Sequence, residues 1–166
     1  MPRFILRTQI NTPIEVCFDL ARSIDLHLDT MKHTGETAIA GVTSGLIGLD
    51  ETVTWKARHF GIMMTLTSKI TECSSPLIFT DEMVTGPSKM MKHRHLFEQK
   101  QGYTLMTDEF VYQSPWGILG KLADALFLRK YMQNLIKHRN EVIRQKAEST
   151  TYPSHENPGT TLKKKD

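Results

Sequence analysis

Residues 114–148 read SPWGILGKLADALFLRKYMQNLIKHRNEVIRQKAE, and the spacing of their apolar side chains decides the fold. Leu119, Leu122, Ala123, Leu126, Phe127, Tyr131, Leu135, Ile136, Val142 and Ile143 recur near a 3.6-residue period, which predicts an amphipathic helix with one buried face. Ser114-Pro115 marks its start, a capping residue followed by a proline where the missing N–H costs nothing. A helix over 115–148 is about 50 Å long at about 1.5 Å per residue, enough to lie across a whole small sheet.

Upstream, the pattern is that of strands. Residues 3–10 alternate, with Phe4, Leu6 and Ile10 opposite Arg3, Arg7 and Gln9, the period of a half-buried strand. Thr12-Pro13-Ile14-Glu15 follows with capping-box spacing, predicting a helix from Thr12 to about Arg22; a second short helix fits 23–30, with an exit at Gly35. Five more strands fit 51–59, 62–72, 77–85, 89–99 and 103–113. Turn signals at Gly61, Ser74-Ser75-Pro76, Gly86-Pro87 and Gly102 separate them, so they read as an antiparallel meander.

The two faces of the meander differ. One collects Val53, Trp55, Ala57, Met64, Leu66, Ile70, Phe79, Met83, Phe97, Met106, Phe110 and Tyr112; the other collects threonines and charges, from Thr52 and Lys56 through Thr80 and Arg94 to Glu109. A one-sided sheet needs a cover. The C-terminal helix supplies it, giving an α+β architecture of about six or seven curved antiparallel strands wrapped on one long helix.

Composition bounds the rest. With 166 residues and 39% hydrophobic content, one core is affordable: residues 1–148 form the predicted domain, and 149–166, rich in small polar residues, a disordered tail. Net charge is +3, or +2 once the three lysines and two acids of 149–166 are set aside, no footprint for nucleic acid. With no secretory h-region and no run of eighteen apolar residues, a soluble, cytoplasmic protein without a transmembrane segment is expected. Cys17 and Cys73 lack metal-type or redox-type spacing and are expected to be reduced and buried.

Four residues break the apolar face. Parity places Asp81, His93, His95 and Asp108 inward, with the two histidines on the strand between those carrying the carboxylates. Buried charges survive only when paired, so the four predict either a structural polar network or groups that orient a ligand in an apolar pocket. Acid–base catalysis by His93 or His95 with Asp108 orienting the ring is a third reading. His-x-His also projects two imidazoles the same way, with Asp81 or Asp108 for a third metal ligand. Two residues at that spacing specify little, and neither metal nor cofactor is expected. His27, His33, His59 and His138 show no partner and read as surface or edge residues. The glycines of 41–48 fit no phosphate loop, lacking Lys-Ser or Lys-Thr and a following helix, and predict a flexible loop at the cavity mouth.

The order of strand, two helices, meander and long helix resembles the SRPBCC or START-like superfamily, which includes the birch pollen allergen and the polyketide cyclases. The resemblance spans 2–148 and rests on the opening Thr12-Pro13-Ile14-Glu15-Val16-Cys17-Phe18-Asp19-Leu20, Phe79-x-Asp81, His93-x-His95-x-Phe97, Thr107-Asp108, and a closing helix through Arg139-Asn140. It implies a helix-grip fold and a small apolar partner, such as a lipid, an aromatic or a polyketide-like molecule, held between sheet and helix. The expected lining is Trp55, Met64, Phe79, Met83, Met106, Phe110, Tyr112, Phe127 and Tyr131, with Met132 beside them and Asp81, His93, His95 and Asp108 facing polar atoms. A cyclase or dehydratase using the same His and Asp groups, and an interaction module with a filled cavity, remain as alternatives. Oligomeric state is not readable.

Overall fold

The computed structural model describes residues 2–114 and 127–149. Seven strands form one antiparallel sheet in the order β1-β7-β6-β5-β4-β3-β2: β1 (Arg3–Ile10), β2 (Thr37–Gly41), β3 (Thr52–His59), β4 (Ile62–Ser74), β5 (Ile78–Thr85), β6 (Met90–Lys100) and β7 (Tyr103–Gln113). Helices α1 (Ile14–Ala21) and α2 (Ile24–Thr30) follow β1, and α3 (Arg129–Ser149) follows β7. This is the α+β helix-grip fold. The expected strand positions hold to within about two residues, and β2 is additional. Its sequence, TAIAG, lies on the sheet edge with almost every residue exposed, so no buried alternation announces it.

Helix α3 presents Ile136, Arg139, Asn140, Ile143 and Ala147 as its buried stripe, the i, i+3, i+4, i+7 spacing of one helical face. Twenty-one residues give it about 31 Å at about 1.5 Å per residue. The part of the predicted helix at 115–126, with Leu119, Leu122, Ala123 and Leu126, lies outside the described residues. So does 150–166 of the predicted tail, whereas Ser149 closes the helix.

The start of α1 differs from the capping-box expectation. Pro13 occupies the cap position, and no side chain caps the first turn from within the segment. Instead Ile14 N–H donates to Gln99 Oε1 of β6 at 2.9 Å, and the Thr12 carbonyl accepts from the buried Thr104 hydroxyl at 2.7 Å. Gln99 thus satisfies a first-turn N–H that a local cap would have served, and Thr104 ties the entering chain to β7. At α2 the cap is local: Ser23 Oγ accepts from Leu26 N–H.

The loop after β2 is tied down rather than loose. Gly41 has φ +73°, and a side chain there would collide with the Thr52 carbonyl. Gly45 N–H donates to Asp25 at 2.8 Å, Ile24 N–H donates to the Gly45 carbonyl at 2.9 Å, and Ile47 N–H donates to the Arg22 carbonyl. Buried Ile47 is thereby fastened beside the α1–α2 junction. Two further corrections concern depth. Thr80, assigned to the solvent side, is fully buried with its hydroxyl donating to Glu72. Cys17 is buried as expected, whereas Cys73 is only half-buried; both are free thiols.

The main core forms where α1 lies on the sheet. Phe18 enters edge-on against Phe79 at 5.6 Å and Phe97 at 5.5 Å. Loss of such a ring removes both transfer energy and packing. Phe18→Ala is expected to lower unfolding free energy by about 3–5 kcal/mol in urea denaturation; a loss below about 1 kcal/mol would show that α1 is not anchored by this ring.

Candidate functional site

A cavity of about 530 Å³ lies between the concave face of the sheet, the α1–α2 junction and α3. Its walls come from β3, β4 and β5 (Trp55, Met64, Leu66, Phe79, Met83), and from α3 and the residues just before it (Phe127, Tyr131, Met132, Leu135). Asp81, His93, His95 and Phe110 line it from the floor. Met106, Asp108 and Tyr112, expected to face a ligand, do not line it. Met106 is fully buried in the α1 core, Tyr112 packs with Phe4, Phe110 and Ile136, and Asp108 sits one layer behind the imidazoles. Parity assigns a face of the sheet and cannot assign depth on it.

The four polar residues meet as strand pairing requires. Asp81 pairs with His93 across β5–β6, and His95 pairs with Asp108 across β6–β7. His93 Nε2 lies 2.8 Å from Asp108 Oδ1, within hydrogen-bonding geometry. His95 Nδ1 approaches the same oxygen to 2.8 Å but off the hydrogen-bond axis. On the cavity side, His95 Nε2 lies 3.2 Å and His93 Nδ1 3.9 Å from Asp81 Oδ2. The two rings meet tilted, with centroids 3.8 Å apart, held by Phe79 flat against His95 at 4.2 Å and Phe110 edge-on to His93 at 5.2 Å.

Helix α3 completes the network with two residues that sequence reasoning left out of the site. Asn140 donates to Asp108 Oδ2 at 2.6 Å, and also to the Thr8 hydroxyl. Arg139 is buried, donates through Nη2 to the Ala21 carbonyl, and sets Nη1 3.9 Å from Asp108 Oδ1. The missed signal was that both fall on the apolar stripe of α3, where a polar residue needs an inward partner.

Elsewhere the wall carries two histidines assigned to the surface. His27 lies 2.6 Å from Glu36 and packs on Trp55 at 4.3 Å; His59 Nδ1 meets the Tyr131 hydroxyl at 2.8 Å. Both line the cavity. Ser68, buried on β4, is a further lining residue not singled out by sequence. Phe60, at φ +53° in the β3–β4 turn, contacts Phe127 and Tyr131. With 53% and 50% of their surface exposed, Phe60 and Phe127 form an apolar rim where the hairpin meets the start of α3.

Burial opposes the charge on Asp108, yet the contacts from His93 and His95 hold its carboxyl well below the usual range. Asp81 is lowered as well, burial being outweighed by the His95 hydrogen bond and by its neighbours His93, His95 and Arg139. Burial, then the neighbouring His95, pushes His93 down despite Asp108, which keeps that imidazole neutral. All three shifts have one consequence. Below about pH 6.5 the unfolded chain takes up a proton on His93 that the folded chain resists, and below about pH 4 it takes up protons on Asp81 and Asp108 in the same way. Unfolding free energy is therefore expected to fall on acidification from pH ~7 and to steepen below pH ~4, read from urea denaturation at several pH values. A flat profile across that range would refute the ionised, hydrogen-bonded network.

No family model and no curated protein sequence matches the chain. Solved structures do. TTHA0849 from Thermus thermophilus superposes with a TM-score of 0.74 at 16% identity, covering 91% of this chain and 100% of that one. A START superfamily protein from Mycobacterium smegmatis gives 0.67 at 8% identity, covering 90% and 99%. Ginseng major latex-like protein 151 from Panax ginseng gives 0.65 at 14% identity, covering 88% and 97%. At these identities the likeness speaks for architecture, and the architecture is the START-like helix-grip fold.

Proposed function

We propose that the chain binds a small, largely apolar molecule that carries one hydrogen-bonding group, held between the sheet and α3. The observation that supports this most is the cavity: about 530 Å³, walled by aromatic, Met and aliphatic side chains, with polar groups gathered on its floor. Small-molecule sites have that size and that make-up, a mostly apolar lining with a few convergent polar groups. The neighbours add support in kind, since one is named a START superfamily protein and another a major latex-like protein. Trp55, Met64, Phe79, Met83, Phe110, Phe127 and Tyr131 serve as apolar wall; Asp81, His93 and His95 take the polar atom of the guest. Asp108 acts through the imidazoles, because it has no exposed surface. An open volume of this size argues against the packed-shut cavity of the interaction-module reading. Among the described residues no helix is long and apolar enough to cross a membrane.

One observation favours acid–base chemistry as a second reading: His93 is kept neutral beside the cavity with a carboxylate behind it, the arrangement of an oriented base. Turnover of an aromatic or polyketide-like compound, lost in His93→Gln with binding retained, would establish it.

Binding is tested by native mass spectrometry of the purified chain, followed by denaturing extraction and by titration with a fluorescent aromatic probe. A 1:1 complex is expected, and Ala57→Phe, which intrudes on the cavity from β3, should weaken probe affinity at least tenfold. A probe with a terminal hydroxyl or carbonyl should bind about tenfold more tightly than its hydrocarbon counterpart, the value of one well-made hydrogen bond. No complex with any apolar probe, or affinity indifferent to Ala57→Phe, would overturn the reading.

A further inference from the structure

We propose that Asp81, His93 and His95 form a binding site for a divalent transition-metal ion, with the open side of the ion facing the cavity. The proposal stands on the donor atoms; with the ion bound, the guest's polar atom meets the ion's open side in place of the three side chains.

One donor atom from each of the three residues lies within 4.8 Å of the other two. Asp81 Oδ2 is 3.2 Å from His95 Nε2 and 3.9 Å from His93 Nδ1. Donors around a tetrahedral zinc ion, each about 2.0–2.2 Å from the metal, stand about 3.3–3.5 Å apart. Asp81 Oδ2 therefore stands close to ligand spacing from both imidazoles, and the three donors form one cluster. Two imidazoles and one carboxylate suit zinc, cobalt or iron(II) rather than calcium or magnesium, which prefer all-oxygen shells.

The layer behind the donors is also that of a metal centre. Each ring turns its other nitrogen to the same oxygen, Asp108 Oδ1, at 2.8 Å. A histidine that ligates a metal through one nitrogen commonly has the other backed by a carboxylate, which selects the tautomer and raises basicity. Asp108 is fixed from α3 by Asn140, and the rings are clamped by Phe79 and Phe110. The donors therefore sit on strands in fixed orientations.

Hydrogen accounting leads to the same point. If both rings are neutral and turn their N–H toward ionised Asp108, the lone pairs of His93 Nδ1 and His95 Nε2 face the Asp81 carboxylate. Three acceptors then surround one space, which is tolerable only with a cation or a proton between them. The alternative is a proton on His95 Nε2 toward Asp81. That contact, at 3.2 Å, is longer than the roughly 2.7–2.9 Å of a well-made charged pair. A metal ion replaces that proton: it exchanges bound waters for three protein donors, one proton leaves to solvent, and no oxidation state changes. Asp81, 21% exposed at the side chain, gives access from the cavity.

The test uses the full chain, stripped with a chelator and titrated with Co²⁺ and then Zn²⁺. Expected are a 1:1 Co²⁺ complex with visible ligand-field absorption, its displacement by Zn²⁺, and Zn²⁺-induced shifts of the His93 and His95 ring ¹⁵N resonances in the unmutated chain. Asp81→Asn should weaken the complex at least tenfold, and Asp108→Asn, acting through ring orientation, about 10–100-fold. His33→Ala should change nothing, although His33 and His138 form an exposed ring pair at 5.4 Å. Absence of a 1:1 complex at micromolar metal, unmoved His93 and His95 resonances in the folded chain, or binding lost in His33→Ala and retained in Asp81→Asn, would each overturn the proposal.

Discussion

The charge on Asp108 is the constraint around which the concave side of this molecule is arranged. A carboxylate with no exposed surface costs several kcal/mol in lost hydration unless its lone pairs are met. The partners come from two directions: His93 and His95 on the neighbouring strand, and Asn140 with Arg139 on α3. The strand partners follow from register. Those from the helix do not, and they set its rotation about its own axis. With Asn140 turned to Asp108, Ile136, Ile143 and Ala147 fall against the sheet, and Tyr131, Met132 and Leu135 fall over the cavity. A single buried charge thus couples the helix to the sheet and decides which helix residues roof the open space.

The network also joins two apolar regions. Phe79 belongs to the large cluster built on α1, and Phe110 to a smaller one with Phe4, Tyr112 and Ile136. His95 stacks on the first ring and His93 meets the edge of the second. The imidazoles therefore fill the seam as flat, ring-sized bodies while carrying hydrogen-bonding nitrogens at opposite edges, which neither Phe nor Leu would do. Phe18 fills the concavity beneath α1, and the cavity lies beside it, between the sheet, the α1–α2 junction with His27, and α3.

Much of this was legible in the chain because strand alternation is a local signal. The inward side of β5, β6 and β7, the central place of the His pair and its two flanking carboxylates all follow from a period of two and a meander. Which carboxylate faces the cavity did not follow, because depth depends on sheet curvature and on what lies above; Asp81 and Asp108 look alike in sequence. Arg139 and Asn140 were hidden by the assumption that a buried helix stripe is apolar. Strand β2 was hidden by its exposure. The Thr12 cap gave way because Gln99, 85 residues from Ile14, takes a first-turn N–H that it was to satisfy.

A network of this kind is a poor way to gain stability. Replacing a buried ionic cluster by apolar residues of similar volume is often neutral or favourable, whereas removing one partner costs several kcal/mol. What the network does provide is a surface. On the binding reading, the outer Asp81 oxygen and His93 Nδ1, 3.9 Å from Asp81 Oδ2, are the groups a guest's polar atom meets. A guest that offers no polar atom leaves them unsatisfied, a loss of about 1–3 kcal/mol per group. Discrimination then comes from the cost of unmet polar groups more than from the shape of the wall, which flexible Met64, Met83 and Met132 leave adaptable. Width in the choice of hydrocarbon and strictness about one polar position are the expected pattern of such a site.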